Sequence, residues 1–224
     1  MDALIFDFDG VVVDSEPIHL ACFRHVLASR GLQLTREDYY GKYLGYDDHD
    51  CFLAALHDQG ASSGEQEITK MIAEKSALVK EALSKSIEPM PGAVELIRSA
   101  ADQGLPVAVC SGALRQEIEL AAQAVGVRDC FATIISAEDV PRGKPDPAGY
   151  VLAARKLAEL LGRAVRPGRC VVIEDSPAGI DAAHAAGMKV LAVTNSYPRD
   201  VLAAADKIVD SLVGTTAASL EELL

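Results

Sequence analysis

Acidic residues, one hydroxyl and one lysine follow short apolar runs at four places in this sequence. They are Asp7 and Asp9, Ser111, Lys144, and Glu174 with Asp175. Three acids around one point would suit a hard cation with oxygen ligands, and Mg²⁺ typically uses one or two carboxylates together with phosphate oxygens. A nearby lysine would add the positive charge that a phosphoryl group needs. This combination predicts phosphoryl transfer if the fold brings the four places together.

The pair Asp7 and Asp9 is the most informative of these motifs. Side chains two residues apart on an extended backbone point the same way, so both carboxylates can face one site. Like charges at close range repel, which indicates a bound cation or a raised pKa. Gly10 allows the chain to turn and lets backbone amides approach an anion. Each motif alone has a structural explanation as a turn, a helix cap or a solvated loop, so their joint occurrence carries the prediction.

Strands and helices alternate along most of the chain, which is typical of βαβ units and a parallel sheet covered on both faces. Expected strands cover 4–8, 106–110, 132–135, 170–173, 190–193 and 207–209. Expected helices cover 92–103, 114–125, 148–161 and 176–187, with a short helix before the last strand. The fold class is therefore α/β, with a Rossmann-like core whose ligands bind at the carboxyl ends of the strands. The four polar motifs follow such ends.

One stretch, residues 15–86, shows only helical patterns. Ser15 as N-cap and Pro17 at the first helical position predict a helix that runs to Gly31, and further helices are expected over 47–57 and 63–84. Pro and Gly residues at 87–92 mark the return to strands. We expect an α/β catalytic core of residues 1–14 and 87–224, with residues 15–86 inserted as an all-helical cap domain.

Composition excludes several classes of partner. The chain has 224 residues and a formal net charge of -12, without a basic cluster, which argues against nucleic acid and anionic membranes. The amino-terminal residues do not resemble a signal peptide, and no apolar run approaches the ~18 residues of a membrane helix. The five cysteines show no CxxC spacing, as expected for reduced thiols. We expect a cytoplasmic protein, with a monomer as the favoured state.

Together these motifs resemble the four signature motifs of the haloacid dehalogenase superfamily, in order and in spacing. The resemblance covers nearly the whole chain. The helical insert is similar to the cap of the branch that contains β-phosphoglucomutase and phosphoglycolate phosphatase. The segments 14–17 and 173–180 are close to the usual sequence motifs of that branch.

The resemblance implies a role for each motif residue. Asp7 would attack phosphorus and become an aspartyl-phosphate, and Asp9 would act as general acid and base. Ser111 would hydrogen-bond the phosphoryl group and Lys144 would hold Asp7. Mg²⁺ would be bound by Asp7, the backbone carbonyl of Asp9 and Asp175, with Glu174 as a ligand or just behind the ligands. Gly10, Gly112 and His19 are the expected substrate-binding residues, although a histidine on a helix face is more often structural.

The sequence favours a Mg²⁺-dependent phosphatase of a small phosphorylated metabolite, with a sugar phosphate as the expected substrate. A β-phosphoglucomutase-like mutase is the alternative. That mutase has a Lys-Gly pair in its cap loop and an Arg three residues after the Gly, whereas Leu44 and Asp48 occupy the two basic positions here; Lys42 or Arg24 could compensate. A phosphoaccepting receiver or a non-catalytic binding protein on the same fold is the alternative from another class.

Overall fold

Six short apolar segments pair into one parallel sheet in the computed structural model, which describes residues 1–44, 46–83, 85 and 87–224. The strands are β1 (Ala3–Phe6), β2 (Val107–Cys110), β3 (Phe131–Ile135), β4 (Cys170–Glu174), β5 (Lys189–Val193) and β6 (Lys207–Val209). Their order is β3-β2-β1-β4-β5-β6, and all neighbours run parallel. The expected Rossmann-like fold class is confirmed.

The chain forms two compact units, Met1–Asp14 with Ile87–Leu224, and Ser15–Ser86. The helices of the second unit are α1 (Glu16–Ala28), α2 (Arg36–Asp38), α3 (Asp48–Asp58) and α4 (Glu65–Leu83), with a π-helical turn at Tyr39–Tyr43. The helices of the first unit are α5 (Ala93–Asp102), α6 (Arg115–Ala124), α7 (Ala148–Leu161), α8 (Pro177–Ala185) and α9 (Ala217–Glu221). Among the described residues, no helix has both the length and the apolar character needed to cross a bilayer.

The core of the first unit lies on the two faces of the sheet. Every residue of β1, β2 and β4 is buried, as expected for parallel strands that are covered on both sides. Helix α7 packs against β2 and β3, and α8 packs against β4 and β5. Strand order reverses between β1 and β4, so the crevice outside their carboxyl ends is where a ligand is expected. The two segments that flank residues 15–86 pair with each other, since the Asp14 N–H donates to the Glu88 carbonyl at 2.9 Å.

The second unit has its own apolar core. Helices α1 and α3 both pack against α4, and Phe23 meets Phe52 edge-on with 4.9 Å between ring centroids. Tyr39 and Tyr43 are buried in this core. The Asp47 carboxylate caps α3 by accepting from the Asp50 N–H at 2.8 Å. Tyr39 and Tyr43 in the core, and Asp47 at the start of α3, therefore have structural roles.

Three local expectations are wrong. The first strand ends at Phe6, two residues early, because the carbonyl of Phe8 accepts an N–H from Val12 at 2.8 Å and the chain turns. No helix lies between β5 and β6 in this described segment; the Val201 N–H bonds to Pro198, and such bonds three residues apart form turns. Ser15 makes no side-chain cap, because its backbone is already helical (φ -89°, ψ -16°), whereas a capping residue is usually extended.

Three expectations fall outside the residues that the structure describes. Gly45 belongs to the loop compared with the mutase, Ser84 is the expected end of a helix, and Ser86 is the expected end of the inserted cap.

Candidate active site

Asp7 follows β1 directly and is buried, with 8% of the residue exposed. Its N–H donates to the Ile173 carbonyl of β4 at 2.9 Å, so strand pairing fixes the residue. The chain then turns through Gly10, whose φ of 75° is in the left-handed region that favours glycine. The Gly10 N–H donates to the Val13 carbonyl at 2.8 Å. This turn holds Asp9 beside the same strand end.

Lys144 reaches the end of β1 from the loop before α7. Its ammonium donates to Asp7 Oδ1 and, at 2.6 Å, to Glu174 Oε1. The loop is tied by an ion pair of 2.7 Å between Arg142 and Asp146. Asp146 also accepts the N–H at the start of α7 at 3.0 Å. The lysine is therefore a fixed charge between two carboxylates.

Glu174 ends β4 and is fully buried, with 0% of the residue exposed. Its Oε1 accepts from Lys144 at 2.6 Å and from the Tyr150 hydroxyl at 2.8 Å. Its Oε2 accepts the N–H of Asp175 at 2.9 Å and the N–H and hydroxyl of Ser176 at 3.1 and 3.0 Å. Because both oxygens are already engaged, Glu174 acts as an anchor for the end of β4 and for Lys144.

Asp175 is also buried, with 4% of the residue exposed. The Ser196 hydroxyl, from the turn after β5, donates to its Oδ2. Gly10 leaves room for this carboxylate, since a Cβ on Gly10 would lie 2.1 Å from Asp175 Oδ2. The carboxylate is therefore aimed at the end of β1 by contacts from two other segments.

Ser111 follows β2 on the other side of β1. Its N–H donates to the Ile135 carbonyl of β3 at 3.0 Å. Its hydroxyl accepts the Ala113 N–H at 3.0 Å and lies 3.3 Å from Asp9 Oδ2, to which it donates. Gly112 is exposed, with no heavy atom within 4 Å of an added Cβ. The structure thus places Ser111 beside Asp9, while contact of Gly112 with a substrate stays a prediction.

The charges in this site are unbalanced. Burial raises the pKa of Asp7 to about 7, although Lys144 opposes the change. Burial, with the charges of Asp7 and Glu174, also raises the pKa of Asp175 well above its usual value. Burial alone would raise the pKa of Glu174 too, but the ammonium of Lys144 holds it below its ordinary value. Asp7 and Asp175 therefore have too little positive charge nearby to stabilise their ionised forms.

A divalent cation fits this deficit. Oxygen atoms of Asp7, Glu174 and Asp175 all lie within 4.8 Å of one another. Three carboxylates with one ammonium carry a formal charge of -2, and hard oxygen donors are those that Mg²⁺ prefers. A second group, Asp47, His49 and Asp50, also comes together in the second unit, but its residues are at least partly exposed.

His19 belongs to the second unit. Its Nδ1 lies 2.8 Å from Lys75 Nζ, so the neutral ring accepts a hydrogen bond from the ammonium. Burial, with the charge of Lys75, lowers the pKa of His19 to about 3. Lys75 also donates to Asp48 and lies 4.4 Å from the centroid of the Phe23 ring. A substrate contact for His19 stays a prediction.

Sequence reasoning missed Lys75, although a signal was present. Lys75 is buried in α4 together with Ile68, Met71 and Val79. These four residues recur at the spacing of one helix face. A lysine within an apolar stripe indicates a buried charge with a partner, which here is Asp48.

Tyr150 and Ser196 were also missed. Tyr150 is fully buried and reaches Glu174 from one turn inside α7. Ser196 lies in the turn after β5, a strand whose end carries no acid or lysine. A tyrosine inside a helix and a serine in a turn are also common as ordinary packing and turn residues. The roles of Tyr150 and Ser196 are therefore visible only in the structure.

The chain is similar to known hydrolases and phosphatases. Residues 1–187 match the family model of the haloacid dehalogenase-like hydrolases. Hexitol phosphatase B of Escherichia coli (strain K12) is 32% identical over 224 residues, covering 97% of this chain and 96% of that protein.

Solved structures, among them the following two, resemble the whole chain. The crystal structure of CbbY from Rhodobacter sphaeroides in complex with phosphate has a TM-score of 0.87 and 26% identity, covering 99% of each chain. The β-phosphoglucomutase of Clostridium difficile has a TM-score of 0.84 and 24% identity, covering 100% of this chain and 96% of that one. The second likeness concerns the fold alone.

Proposed function

This chain belongs to the haloacid dehalogenase-like hydrolase family, and we propose that it is a Mg²⁺-dependent phosphatase acting through an aspartyl-phosphate on Asp7. Membership of this family, with relatives named as phosphatases, makes it a phosphoric monoester hydrolase. The observation that carries the mechanism is the contact of Lys144 with both Asp7 and Glu174 at the crevice between β1 and β4. A receiver or a non-catalytic binding protein is not favoured, because every motif residue of the core is present.

Asp7 attacks phosphorus of the bound monoester, so a bond forms between its carboxylate oxygen and phosphorus while the bond to the alcohol oxygen breaks. Asp9 gives its proton to the leaving alcohol. A water molecule then attacks phosphorus, Asp9 takes its proton, and the bond to Asp7 breaks. Inorganic phosphate leaves and both carboxyl groups return to their starting states.

The other residues hold and stabilise this reaction. Lys144 fixes the orientation of Asp7 and offsets negative charge beside the phosphoryl group. The Ser111 hydroxyl donates to Asp9 at 3.3 Å; with phosphate bound, its single O–H would turn to a phosphoryl oxygen instead. Mg²⁺, when bound, would offset charge on the phosphoryl oxygens; Asp7, the Asp9 carbonyl and Asp175 would hold it. For Glu174, whose oxygens are both engaged, the structure favours the position behind the ligands.

The substrate we propose is a small sugar phosphate. The support comes from hexitol phosphatase B among the relatives.

A phosphatase is favoured over a mutase because a mutase must hold a second, distal phosphate. Lys42 and Arg24, the two cations that could compensate, each have a partner but are both exposed. Lys42 pairs with Asp38 at 2.9 Å, and Arg24 Nε donates to the Leu34 carbonyl at 2.6 Å. Asp48 is paired with Lys75, which weakens the repulsion that its carboxylate would exert on a phosphate. What counts against the mutase is the lack of a basic residue at positions 44 and 48.

The test is a panel of hexitol and sugar phosphates in which free phosphate and isomerised product are both measured. We expect phosphate release that stops with EDTA and returns with Mg²⁺. β-Glucose 1-phosphate with a trace of the 1,6-bisphosphate is the deciding member. Efficient formation of glucose 6-phosphate with little free phosphate would show a mutase instead.

A further inference from the structure

We propose that Ser196 and Asn195, in the turn after β5, are positioning residues of the metal site. This inference rests on the proposed function, because it concerns the residues that would hold Mg²⁺. Ser196 acts on the Asp175 carboxylate, and Asn195 acts on the backbone beside Asp9.

Three separate chain segments meet at Gly10. A Cβ added there would lie 2.1 Å from Asp175 Oδ2 and 2.8 Å from Ser196 Oγ. The space that a side chain would need is filled by the end of β4 and the turn after β5. Gly10 thus allows the Ser196 hydroxyl and the Asp175 carboxylate to meet against the backbone of the first motif.

Ser196 selects how Asp175 can bind a cation. Its hydroxyl donates to Oδ2, which leaves the other oxygen of Asp175 for the metal. A hydrogen bond of this kind fixes the plane of the carboxylate and favours binding through one oxygen. Partners behind metal ligands typically change metal affinity by roughly 10- to 100-fold when removed.

Asn195 holds the backbone on the other side. Its side-chain amide donates to the Gly10 carbonyl at 2.6 Å, while the Gly10 N–H donates to the Val13 carbonyl at 2.8 Å. Asn195 therefore fixes the peptide plane after Gly10, and the bond to Val13 fixes the plane before it. The plane before Gly10 carries the carbonyl of Asp9, the backbone oxygen expected to bind Mg²⁺.

The turn has an anchor of its own that does not depend on these two side chains. The Thr194 N–H donates to the Val209 carbonyl at 3.1 Å, and its hydroxyl donates to Asp210 Oδ1 at 3.1 Å. Truncating Ser196 or Asn195 should therefore leave the turn folded. Their hydrogen bonds reach Asp175 and the Gly10 carbonyl, so loss of those bonds should weaken metal binding.

The experiment is titration calorimetry of Mg²⁺ into the full chain without substrate. Ser196→Ala should weaken binding by roughly 10- to 100-fold, while Ser196→Thr, which keeps the hydroxyl, should stay near wild type. Asn195→Ala should weaken binding by less, because Asn195 bonds to the Gly10 carbonyl and not to a metal ligand. In assays, Ser196→Ala should need more Mg²⁺ but recover its kcat at saturation. Ser211→Ala is the matched control, since its hydroxyl donates to the Pro91 carbonyl at 3.3 Å, in another turn.

Asp175→Asn separates the two ways in which the inference could fail. If Asp175→Asn loses Mg²⁺ binding and Ser196→Ala does not, the positioning role is overturned and the proposed function stands. If Asp175→Asn binds Mg²⁺ like wild type, the metal site itself is wrong and the proposed function fails with it.

Discussion

Replacing Gly179 with alanine should destabilise the protein, although Gly→Ala inside a helix usually stabilises it by ~1 kcal/mol. Gly179 lies in the first turn of α8, directly against the buried Glu174 carboxylate. An added Cβ would lie 1.7 Å from Oε1, 1.9 Å from Cδ and 2.3 Å from Oε2 of Glu174. Glu174 would have to move, together with the Lys144 and Tyr150 bonds that depend on it.

The size of the effect follows from these distances. Ordinary contact begins at 3.4 Å, so the carboxylate must shift by about 1.7 Å (3.4 less 1.7). Hydrogen bonds of 2.6 to 3.1 Å at Glu174 cannot survive such a shift. Breaking a buried charge pair costs ~3–5 kcal/mol, and the helix preference of alanine returns ~1 kcal/mol. The net loss should be about 2–4 kcal/mol.

Urea unfolding of the full chain measures this loss, with phosphate release as a second readout that should fall at least tenfold. Gly41→Ala is the control, since Gly41 is also helical and has no heavy atom within 4 Å of an added Cβ. In a Glu174→Ala background, where the obstacle is gone, Gly179→Ala should become neutral or stabilising. A Gly179→Ala variant at least as stable as wild type would refute the reasoning.

Three further predictions concern charge. Tyr150→Phe removes one hydrogen bond to the buried Glu174 carboxylate and should cost about 1.5–3 kcal/mol in urea unfolding; a cost below measurement error would contradict the role of that bond. The pKa of Asp7 is raised to about 7 in the folded protein, from 3.8 when unfolded. The contribution of Asp7 to the free energy of unfolding is therefore fully present below pH 3.8 and is lost as the pH rises through about 7. The unfolding free energy in EDTA should therefore fall by roughly 2–3 kcal/mol between about pH 5 and 7, whereas saturating Mg²⁺ should flatten the profile; equal slopes would argue against a cation there. Asp48→Ala should destabilise the second unit by ~2–4 kcal/mol by leaving Lys75 buried without its carboxylate, while Lys75→Met should cost under about 1 kcal/mol; equal losses in urea unfolding would disprove this asymmetry.

The sheet could be predicted from the sequence because buried parallel strands are continuous apolar runs, and each is followed by a turn or helix signal. Residues 170–173 and 190–193 were expected as strands and lie within β4 and β5. The predicted ends of strands and helices were less accurate than their predicted positions. The stop of β1 at Phe6 depends on backbone bonds to the carbonyl of Phe8, and nothing in the side-chain pattern specifies those bonds.

The site was predictable to the extent that its residues follow predicted strands. Asp7, Glu174 and Asp175 could be placed together because β1 and β4 have parallel neighbours and polar ends. The supporting residues could not be found in this way. Tyr150 and Ser196 act through a single hydroxyl each, and that hydroxyl gains its role only from three-dimensional neighbours.

Phosphorylation of Asp7 is the central claim, and the Asp9→Asn variant tests it most directly. With p-nitrophenyl phosphate, the leaving phenolate needs no proton from residue 9, so the phosphoenzyme should form. Its hydrolysis should be slow, because the amide cannot take a proton from water. Rapid mixing with Mg²⁺ should give a burst of one phenolate per chain. Borohydride trapping and peptide mass spectrometry should then place the acyl phosphate on Asp7. A burst whose trapped acyl phosphate lies on another residue would contradict the mechanism. Turnover by Asp9→Asn with no trapped acyl phosphate would contradict it as well.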